Sequence, residues 1–275
     1  MCKNRGVARD RITVAGKSIP VEAVPLIEPE RNAFRQHICQ RDVASARAAI
    51  VEAYARLDQR IRESIVQTGL VPACHKGCAW CCHGVKVTVS IPEALAIAEY
   101  LEDGRAELVQ KVEAAAQRRR HMNTDQYFFS GETCPFLSVT NDCSIYDVRP
   151  MACRRHCCLD SSECERAVKN PKLKLPVSQH APINALGALS GVALAAATED
   201  AQLDYRTFEL ATAVCVALRP DTARRWVTGE RVFDEAVRPV DNEDREIAKH
   251  DLKKYSPDSG ESKQTLWKSH SKKKR

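Results

Sequence analysis

Cysteine is concentrated in one part of this 275-residue chain. Ten of its thirteen cysteines lie between Cys74 and Cys164, and the other three are Cys2, Cys39 and Cys215. The first twenty residues lack the continuous apolar core and the small-residue cleavage site of a secretory signal, so we expect the chain to stay in the reducing cytoplasm. Clustered thiols in that compartment indicate metal sites or redox centres rather than structural disulfides.

The clustered cysteines form two groups. The first lies in the turn-rich segment LVPACHKGCAWCCHG and consists of Cys74, Cys78, Cys81 and Cys82. Thiolates two residues apart can converge on one metal where the backbone turns sharply, and Gly77 supplies conformational freedom for such a turn. The second group lies in a segment rich in turn-forming residues and consists of Cys134, Cys143, Cys153, Cys157, Cys158 and Cys164. We expect both groups to converge on one metal-binding centre.

Apolar residues recur at helical spacing on both sides of the cysteine segments. Steps of three and four residues from Ile50 to Ile65, followed by Gly69, predict an amphipathic helix with a glycine stop. Ser90 and Glu93 have the pattern of a capping box after a short extended segment. The predicted helices cover about residues 45–67, 91–102, 105–122, 186–197, 205–218 and 221–237. We therefore predict a mainly α fold, a helical protein with an irregular, loop-rich cysteine-cluster centre and little β-structure.

Four ranges are expected along the chain. Residues 1–43 contain several prolines and no lasting period, which predicts an extended N-terminal arm. Residues 44–176 are expected to form the cysteine-cluster metal-binding domain with its flanking helices, and residues 177–248 a C-terminal helical region. Residues 249–275 are rich in Lys and Ser with few apolar side chains, which predicts a disordered basic tail.

The charge distribution gives the body of the protein no electrostatic footprint for nucleic acid. The chain has 42 Lys and Arg against 36 Asp and Glu, a net charge of +6. Residues 249–275 contain nine basic and three acidic residues, so the tail accounts for the whole net charge of +6. The net charge of the other residues is zero. We therefore expect no specific nucleic-acid partner, and no protein partner can be identified. The least polar window, residues 181–198, contains Pro182, Asn184 and Ser190, so we also expect no membrane span.

Several separated motifs resemble, in order, those of the YkgJ-like cysteine-cluster family, which is described as zinc- or iron-chelating. The motifs are CHKGCAWCC at 74–82, VKVTVSIPEALAIAEYL after it, CPFL at 134–137 and CSIYDVRPMACR at 143–154. The resemblance covers about a third of the chain and implies zinc, iron or an iron–sulfur cluster as the bound group. It also implies a pool of metal ligands that consists of Cys74, Cys78, Cys81, Cys82, Cys134, Cys143, Cys153 and Cys157.

The sequence departs from the family pattern at two places. Three residues separate Cys74 from Cys78, where the family motif has two. Cys158 and Cys164 are additional thiols that the motif does not map. The eight mapped cysteines exceed the four ligands of one tetrahedral ion, which favours two metals or one iron–sulfur cluster, with a chelating or redox role.

Other polar residues near the cysteines have ordinary structural interpretations. We expect Arg149 to pair with a carboxylate such as Asp147 or to cap a helix, beside a turn that Pro150 fixes. The run 118–120 of three arginines is interpreted as the solvated end of a helix, where cations suit the helix dipole. Imidazole can replace thiolate at zinc, but loop positions without ligation are expected for His75, His83 and His156.

Two other functional classes remain open, and whether the protein is an enzyme stays undecided. Cys74, Cys78 and Cys81 also have the spacing of the radical S-adenosylmethionine enzymes, and flagellin lysine methylases carry a similar cluster. An iron–sulfur-dependent S-adenosylmethionine enzyme, such as a protein methyltransferase, would need strands alternating with helices, whereas the pattern after Val89 is mostly helical. The other alternative is a structural zinc module that holds helices together for protein interaction. Ligand count cannot separate zinc from an iron–sulfur cluster.

Overall fold

Helices account for most of the fold, as the apolar periodicity predicts. A computed structural model of the protein describes residues 11–238 except Lys76, Asn123 and Lys174. Its elements, in chain order, are β1 (Arg11–Val14), β2 (Lys17–Pro20), α1 (Val24–Ile38), α2 (Val43–Thr68), β3 (Thr88–Ser90), α3 (Ile91–Glu102), α4 (Ala106–Arg119), α5 (Thr124–Phe129), α6 (Met151–Arg155), α7 (Ser161–Lys169), α8 (Ala181–Asp200), β4 (Thr207–Glu209), α9 (Leu210–Ala217) and α10 (Thr222–Val227). The prediction of a mainly α fold with little β-structure is confirmed.

The N-terminal segment differs from the predicted extended arm. Strands β1 and β2 form an antiparallel hairpin, and α1 follows with a proline in its first turn, where a missing amide donor costs nothing. Helix α1 buries Ile27, Phe34 and Ile38 against α8 and α2. The expectation for residues 1–43 is therefore wrong over this hairpin and helix, because Pro29 lies inside α1 rather than ending it. Residues 1–10 lie outside the described part of the chain.

The helix predicted before the first cysteine group is confirmed as α2. Its N-cap is Asp42, whose carboxylate accepts the Ser45 amide at 2.9 Å. Its C-cap is Gly69, which has a left-handed backbone with a φ of 66° and donates its amide to the Ile65 carbonyl at 2.9 Å. The chain thus leaves α2 in a defined direction immediately before the first cysteines.

The capping box at the start of α3 is also confirmed. The Glu93 carboxylate accepts the Ser90 amide at 2.9 Å and the Ser90 hydroxyl at 2.7 Å. The extended segment before it is a three-residue strand, β3, which pairs antiparallel with β4 so that Thr88 faces Glu209. This pairing joins the middle of the chain to its C-terminal part.

One hydrophobic cluster joins most of the helices. It includes Phe34 of α1, Ile50 of α2, Ile97 of α3, Leu194 of α8 and Val214 of α9, each at most 1% exposed. Residues from the first three predicted ranges therefore share one core, and the described residues belong to one compact unit. The basic tail predicted at 249–275 lies outside the described residues.

Helix α8 is long and apolar enough to cross a membrane by length and composition alone. Core helices of globular proteins pass the same test, so this is weak evidence for a span. In this structure 56% of its most apolar window is buried, and it packs against α1, α2 and α6.

The C-terminal helices are shorter than predicted. The segment at 205–218 divides into β4 and α9, because Glu209 pairs in the sheet and its carboxylate accepts the Thr212 amide as the N-cap of α9. The helix predicted over 221–237 is only α10, which is followed by Gly229 with a φ of 100°. Turns follow from there to residue 236.

The arginine run at the end of α4 is not uniformly solvated, contrary to the sequence interpretation. Arg119 is buried, and its guanidinium donates to the Glu209 carboxylate at 3.0 Å, with both side chains 1% exposed. The same guanidinium donates to the Thr133 carbonyl next to Cys134. Arg118 instead pairs at 2.7 Å with Glu132 on the surface. The dipole argument treated the run as one unit, whereas tertiary packing separates its members.

We expect Arg119→Met to lower the free energy of unfolding by about 3–5 kcal/mol, because it leaves the buried Glu209 carboxylate without its cation. The matched variant Arg118→Met removes an exposed pair and should cost less than about 1 kcal/mol. Urea unfolding of both variants measures the difference. Equal losses would contradict the assignment of the Arg119–Glu209 pair as a structural constraint.

Candidate metal centre

The two cysteine segments lie side by side in the structure. At the start of the first segment, the Ala73 amide donates to the Cys158 carbonyl at 2.9 Å. At its end, in a 3₁₀ turn at Trp80–Cys82, the Cys82 carbonyl accepts the Cys134 amide at 2.8 Å. The first segment is therefore fixed at its two ends to two different parts of the second segment.

One set of thiols surrounds the start of the first segment. The Cys74 and Cys158 sulfurs are 3.6 Å apart, and the Cys158 amide donates to the Cys74 sulfur at 3.4 Å. The Cys74 thiol is also hydrogen-bonded to that of Cys157, and the Cys158 thiol to that of Cys164. We call these four residues the Cys74 cluster.

A second set of thiols lies at the end of the first segment. The Cys82 thiol is hydrogen-bonded to those of Cys81 and Cys134. Cys143 and Cys153 lie beside these three, close enough for their charges to interact with those of Cys81 and Cys134. We call these five residues the Cys82 cluster. The remaining predicted ligand, Cys78, interacts electrostatically with Cys74 and Cys81 and so lies between the two clusters.

Hydrogen bonds between thiols favour the thiolate form of particular cysteines. A hydrogen bond from Cys157, together with bonds from the amide and thiol of Cys158, lowers the pKa of Cys74 to about 5. Hydrogen bonding with Cys82 lowers the pKa of both Cys81 and Cys134. Since the thiolate is the form that ligates metal, each cluster already contains at least one sulfur in a favourable state.

Arg149 supplies positive charge beside both clusters. Burial raises the pKa of Cys143 and Cys153, and hydrogen bonding with Cys74 together with burial raises that of Cys157; the charge of Arg149 opposes these shifts in part. It adds a smaller lowering effect to the pKa of Cys81, which the hydrogen bond with Cys82 already lowers. The guanidinium lies 4.0 Å from the centre of the Tyr146 ring, and its buried Nε has no hydrogen-bond partner among the described residues. Of the two roles expected for Arg149, an ion pair with a carboxylate such as Asp147 is not found among the described residues, whereas Arg149 is the C-cap of the 3₁₀ turn at Tyr146–Val148. The Asp147 carbonyl instead accepts a hydrogen bond from Arg154.

A buried carboxylate positions the short helix α6, which carries Cys153. The second oxygen of Glu93 accepts the Met151 amide at 2.7 Å and the Tyr54 hydroxyl at 3.4 Å. Glu93 thus caps α3 and holds the first amide of α6. The sequence identified only its role in the capping box, because the contact with Met151 is 58 residues away.

Arg154 and His180 were also missed by the sequence analysis. Arg154 is buried, pairs with the Asp58 carboxylate of α2 at 2.5 Å and donates to the Arg149 carbonyl at 2.9 Å. His180 is fully buried: its amide donates to the Cys157 carbonyl at 2.8 Å, and its side chain accepts the Ile183 amide as the N-cap of α8. The position of His180 immediately before Ala-Pro at a helix start was the available signal.

The three histidines beside the cysteines have different surroundings. His75 is exposed and its Nδ1 lies 3.1 Å from the Ala73 carbonyl. His83 is half-buried against the Trp80 ring, with 6.3 Å between ring centres. His156 lies near Cys74, and burial lowers its pKa, which favours the neutral imidazole. Their predicted lack of metal ligation stays a prediction.

The chemistry of the donors fits a thiophilic metal. All twelve cysteines among the described residues are free thiols. The 3.6 Å separation of the Cys74 and Cys158 sulfurs is close to that of two sulfurs on one tetrahedral zinc, about 3.8 Å for Zn–S bonds of ~2.3 Å. Over the described range, no three Cys, His, Asp or Glu side chains are arranged to hold an ion as they stand.

The described elements do not form the barrel that a radical S-adenosylmethionine enzyme would need. The strands from residue 11 to 238, outside the three undescribed positions, form two sheets of two strands each, and both sheets are antiparallel. The radical S-adenosylmethionine alternative therefore has no support in the fold.

Close packing between α6 and α8 depends on Gly187. A Cβ atom at this position would overlap the Arg155 Cβ of α6. We expect Gly187→Ala to displace α6 and to lower the free energy of unfolding by about 1–3 kcal/mol. Gly191→Ala, in the same helix with open space around it, should be neutral or stabilising by up to about 1 kcal/mol. Denaturant unfolding of the two variants tests this, and a Gly187→Ala variant as stable as Gly191→Ala would contradict it.

Comparisons with known proteins find a match for one part of the chain. No curated protein and no solved structure matches the chain. One family model does match, and the matched segment contains both cysteine clusters, α3 to α7 and the Glu93 contact to α6. Residues 73–172 match the CxxCxxCC family, described as a "putative zinc- or iron-chelating domain".

Proposed function

We propose that this protein binds zinc or iron, as an ion or as an iron–sulfur cluster, through cysteine thiolates of both segments. The observation that carries the proposal is the direct contact between thiols that lie far apart in sequence, above all the 3.6 Å approach of Cys74 to Cys158. The proposed ligands are the eight cysteines that the family motif maps. Cys158, which the motif does not map, adds a further thiol beside Cys74. We place the protein in the reducing cytoplasm, where thiols stay free.

Each chain segment has a distinct part in holding such a group. Cys74 and Cys81 present sulfurs with a lowered pKa from the first segment, and Cys134 does so from the second. Arg149 adds a cation beside Cys81, which offsets part of the repulsion between thiolates. Zinc bound here would close the site without redox chemistry, whereas an iron–sulfur cluster would supply electron transfer.

We expect the protein purified without oxygen to contain zinc or iron, and Cys82→Ser or Cys134→Ser to lower the metal content by half or more. Metal analysis measures the loss. Colourless protein with zinc identifies a zinc site, and visible absorption with acid-labile sulfide identifies an iron–sulfur cluster. Cys39→Ser and Cys215→Ser are the controls. Cys39 follows α1 and Cys215 lies on α9, so both thiols are outside the two clusters. Metal-free wild-type protein, or an equal loss in the Cys215→Ser control, would exclude the proposal.

Removal of metal should loosen the cysteine segments before the helical core. The segments at 70–87 and 130–180 contain mostly turns and short helices, whereas α2 and α9 bury apolar faces in the common core. Metal binding couples to folding of such loops. Limited proteolysis after chelation should therefore cut within these segments first. The prediction is contradicted if cleavage is confined to α2 and α9 while residues 134–164 stay resistant.

A further inference from the structure

Backbone hydrogen bonds join the two cysteine segments at two separate points. The amide of Ala73 and the carbonyl of Cys82 lie at opposite ends of the first cysteine segment, and they bond to Cys158 and Cys134, respectively. Here the same segment meets the second one at two points that are 24 residues apart in sequence, counted from Cys134 to Cys158.

Direct thiol contacts follow the same division. Cys74 contacts Cys157 and Cys158, and Cys158 contacts Cys164. Cys82 contacts Cys81 and Cys134. The thiol–thiol hydrogen bonds thus stay within their own clusters, whereas electrostatic effects between Cys81 and both Cys74 and Cys164 reach across, so the two clusters are neighbours.

The two cysteines outside the family motif both belong to the Cys74 cluster. Cys158 is 1% exposed, and its backbone is held by a β-bridge to Gln179 as well as by Ala73. Cys164 is 8% exposed and lies on α7, which begins at the N-cap Asp160 and packs against the Trp80–Cys82 turn. The β-bridge and the bond from Ala73 therefore place Cys158 at Cys74. The hydrogen bond between the Cys164 and Cys158 thiols brings Cys164 to the same cluster, from a helix that packs beside the Trp80–Cys82 turn.

We propose that the Cys74 cluster is a metal site of its own, with Cys74, Cys157, Cys158 and Cys164 as ligands, separate from a second site in the Cys82 cluster. This inference rests on the proposed function. Four thiolates complete the coordination of one tetrahedral zinc ion, and each thiol releases its proton to solvent as its bond to zinc forms. The Cys158 amide, which already donates to the Cys74 sulfur, is typical of the outer hydrogen bonds that orient a ligand.

The test is a titration of reduced, metal-free full-length protein with Zn²⁺ in competition with a colorimetric chelator, without oxygen. Wild-type protein should bind two zinc ions per chain. Cys158→Ser and Cys164→Ser should each reduce this to one, and Cys134→Ser should remove the other, so that a variant with both Cys158→Ser and Cys134→Ser binds none. Cys215→Ser is the matched control and should keep two.

Each outcome separates this inference from the function on which it rests. Wild-type protein that binds neither zinc nor iron overturns the proposed function. Wild-type protein that binds metal, with full zinc stoichiometry retained in Cys158→Ser and Cys164→Ser, overturns only the separate site. A single zinc that is lost in variants of both clusters also overturns it, because the clusters then form one centre.

Because Cys158 and Cys164 are buried, a second measurement uses the unmodified chain. Alkylation rates of individual cysteines are compared with and without zinc, at a urea concentration where the zinc-free thiols react. We expect zinc to slow the reaction of Cys158 and Cys164 at least tenfold and to leave the exposed Cys39 unchanged. Equal rates at Cys158 and Cys164 with and without zinc would overturn the assignment.

Discussion

The Glu93 carboxylate is the interaction on which the arrangement of the cysteines depends. Its two oxygens join the start of α3 to the start of α6, because one accepts from Ser90 and the other from Met151. Helix α6 has only five residues and cannot hold its position by its own hydrogen bonds. Arg155 of this helix also packs closely against Gly187 of α8. The second cysteine segment therefore takes its position from helices that belong to the apolar core.

Buried arginines stabilise the irregular backbone around the thiols. Loops without regular structure must still satisfy their carbonyl groups when water is excluded. Arg154 donates to the carbonyls of Asp147 and Arg149, and Arg119 donates to that of Thr133. Each guanidinium is at the same time paired with a carboxylate on a core helix or strand, which limits the cost of burying its charge. The loops are thus anchored by polar side chains where apolar packing is sparse.

Features that depend on neighbouring residues in sequence could be predicted, and features that depend on distant partners could not. The glycine stop at Gly69 and the capping box at Ser90 need only local geometry, and both are present. Arg119 could not be separated from Arg118 by sequence, because its partner Glu209 is 90 residues away. Helix α1 was missed because Pro29 is normally a sign of a break, although the burial of Phe34 and Ile38 stabilises the helix around it. The clustering of thiols in a reducing compartment predicted that the two cysteine groups approach each other. The two points of contact, at Cys82 and at Cys158, are set by backbone hydrogen bonds that the spacing of the cysteines does not encode.

Arg149 opposes part of the electrostatic cost of placing the thiols close together. Several sulfurs in one region disfavour each other's thiolate forms, since like charges raise the pKa of each. Burial has the same effect, as it does on Cys143 and Cys153. A guanidinium that keeps its charge at any cellular pH opposes both effects. Stacking on Tyr146 holds Arg149 in place without using its donors on a carboxylate, so its charge remains directed at the thiols of both clusters. An ion pair with a carboxylate such as Asp147, one of the two roles that the sequence suggested, would have weakened that effect.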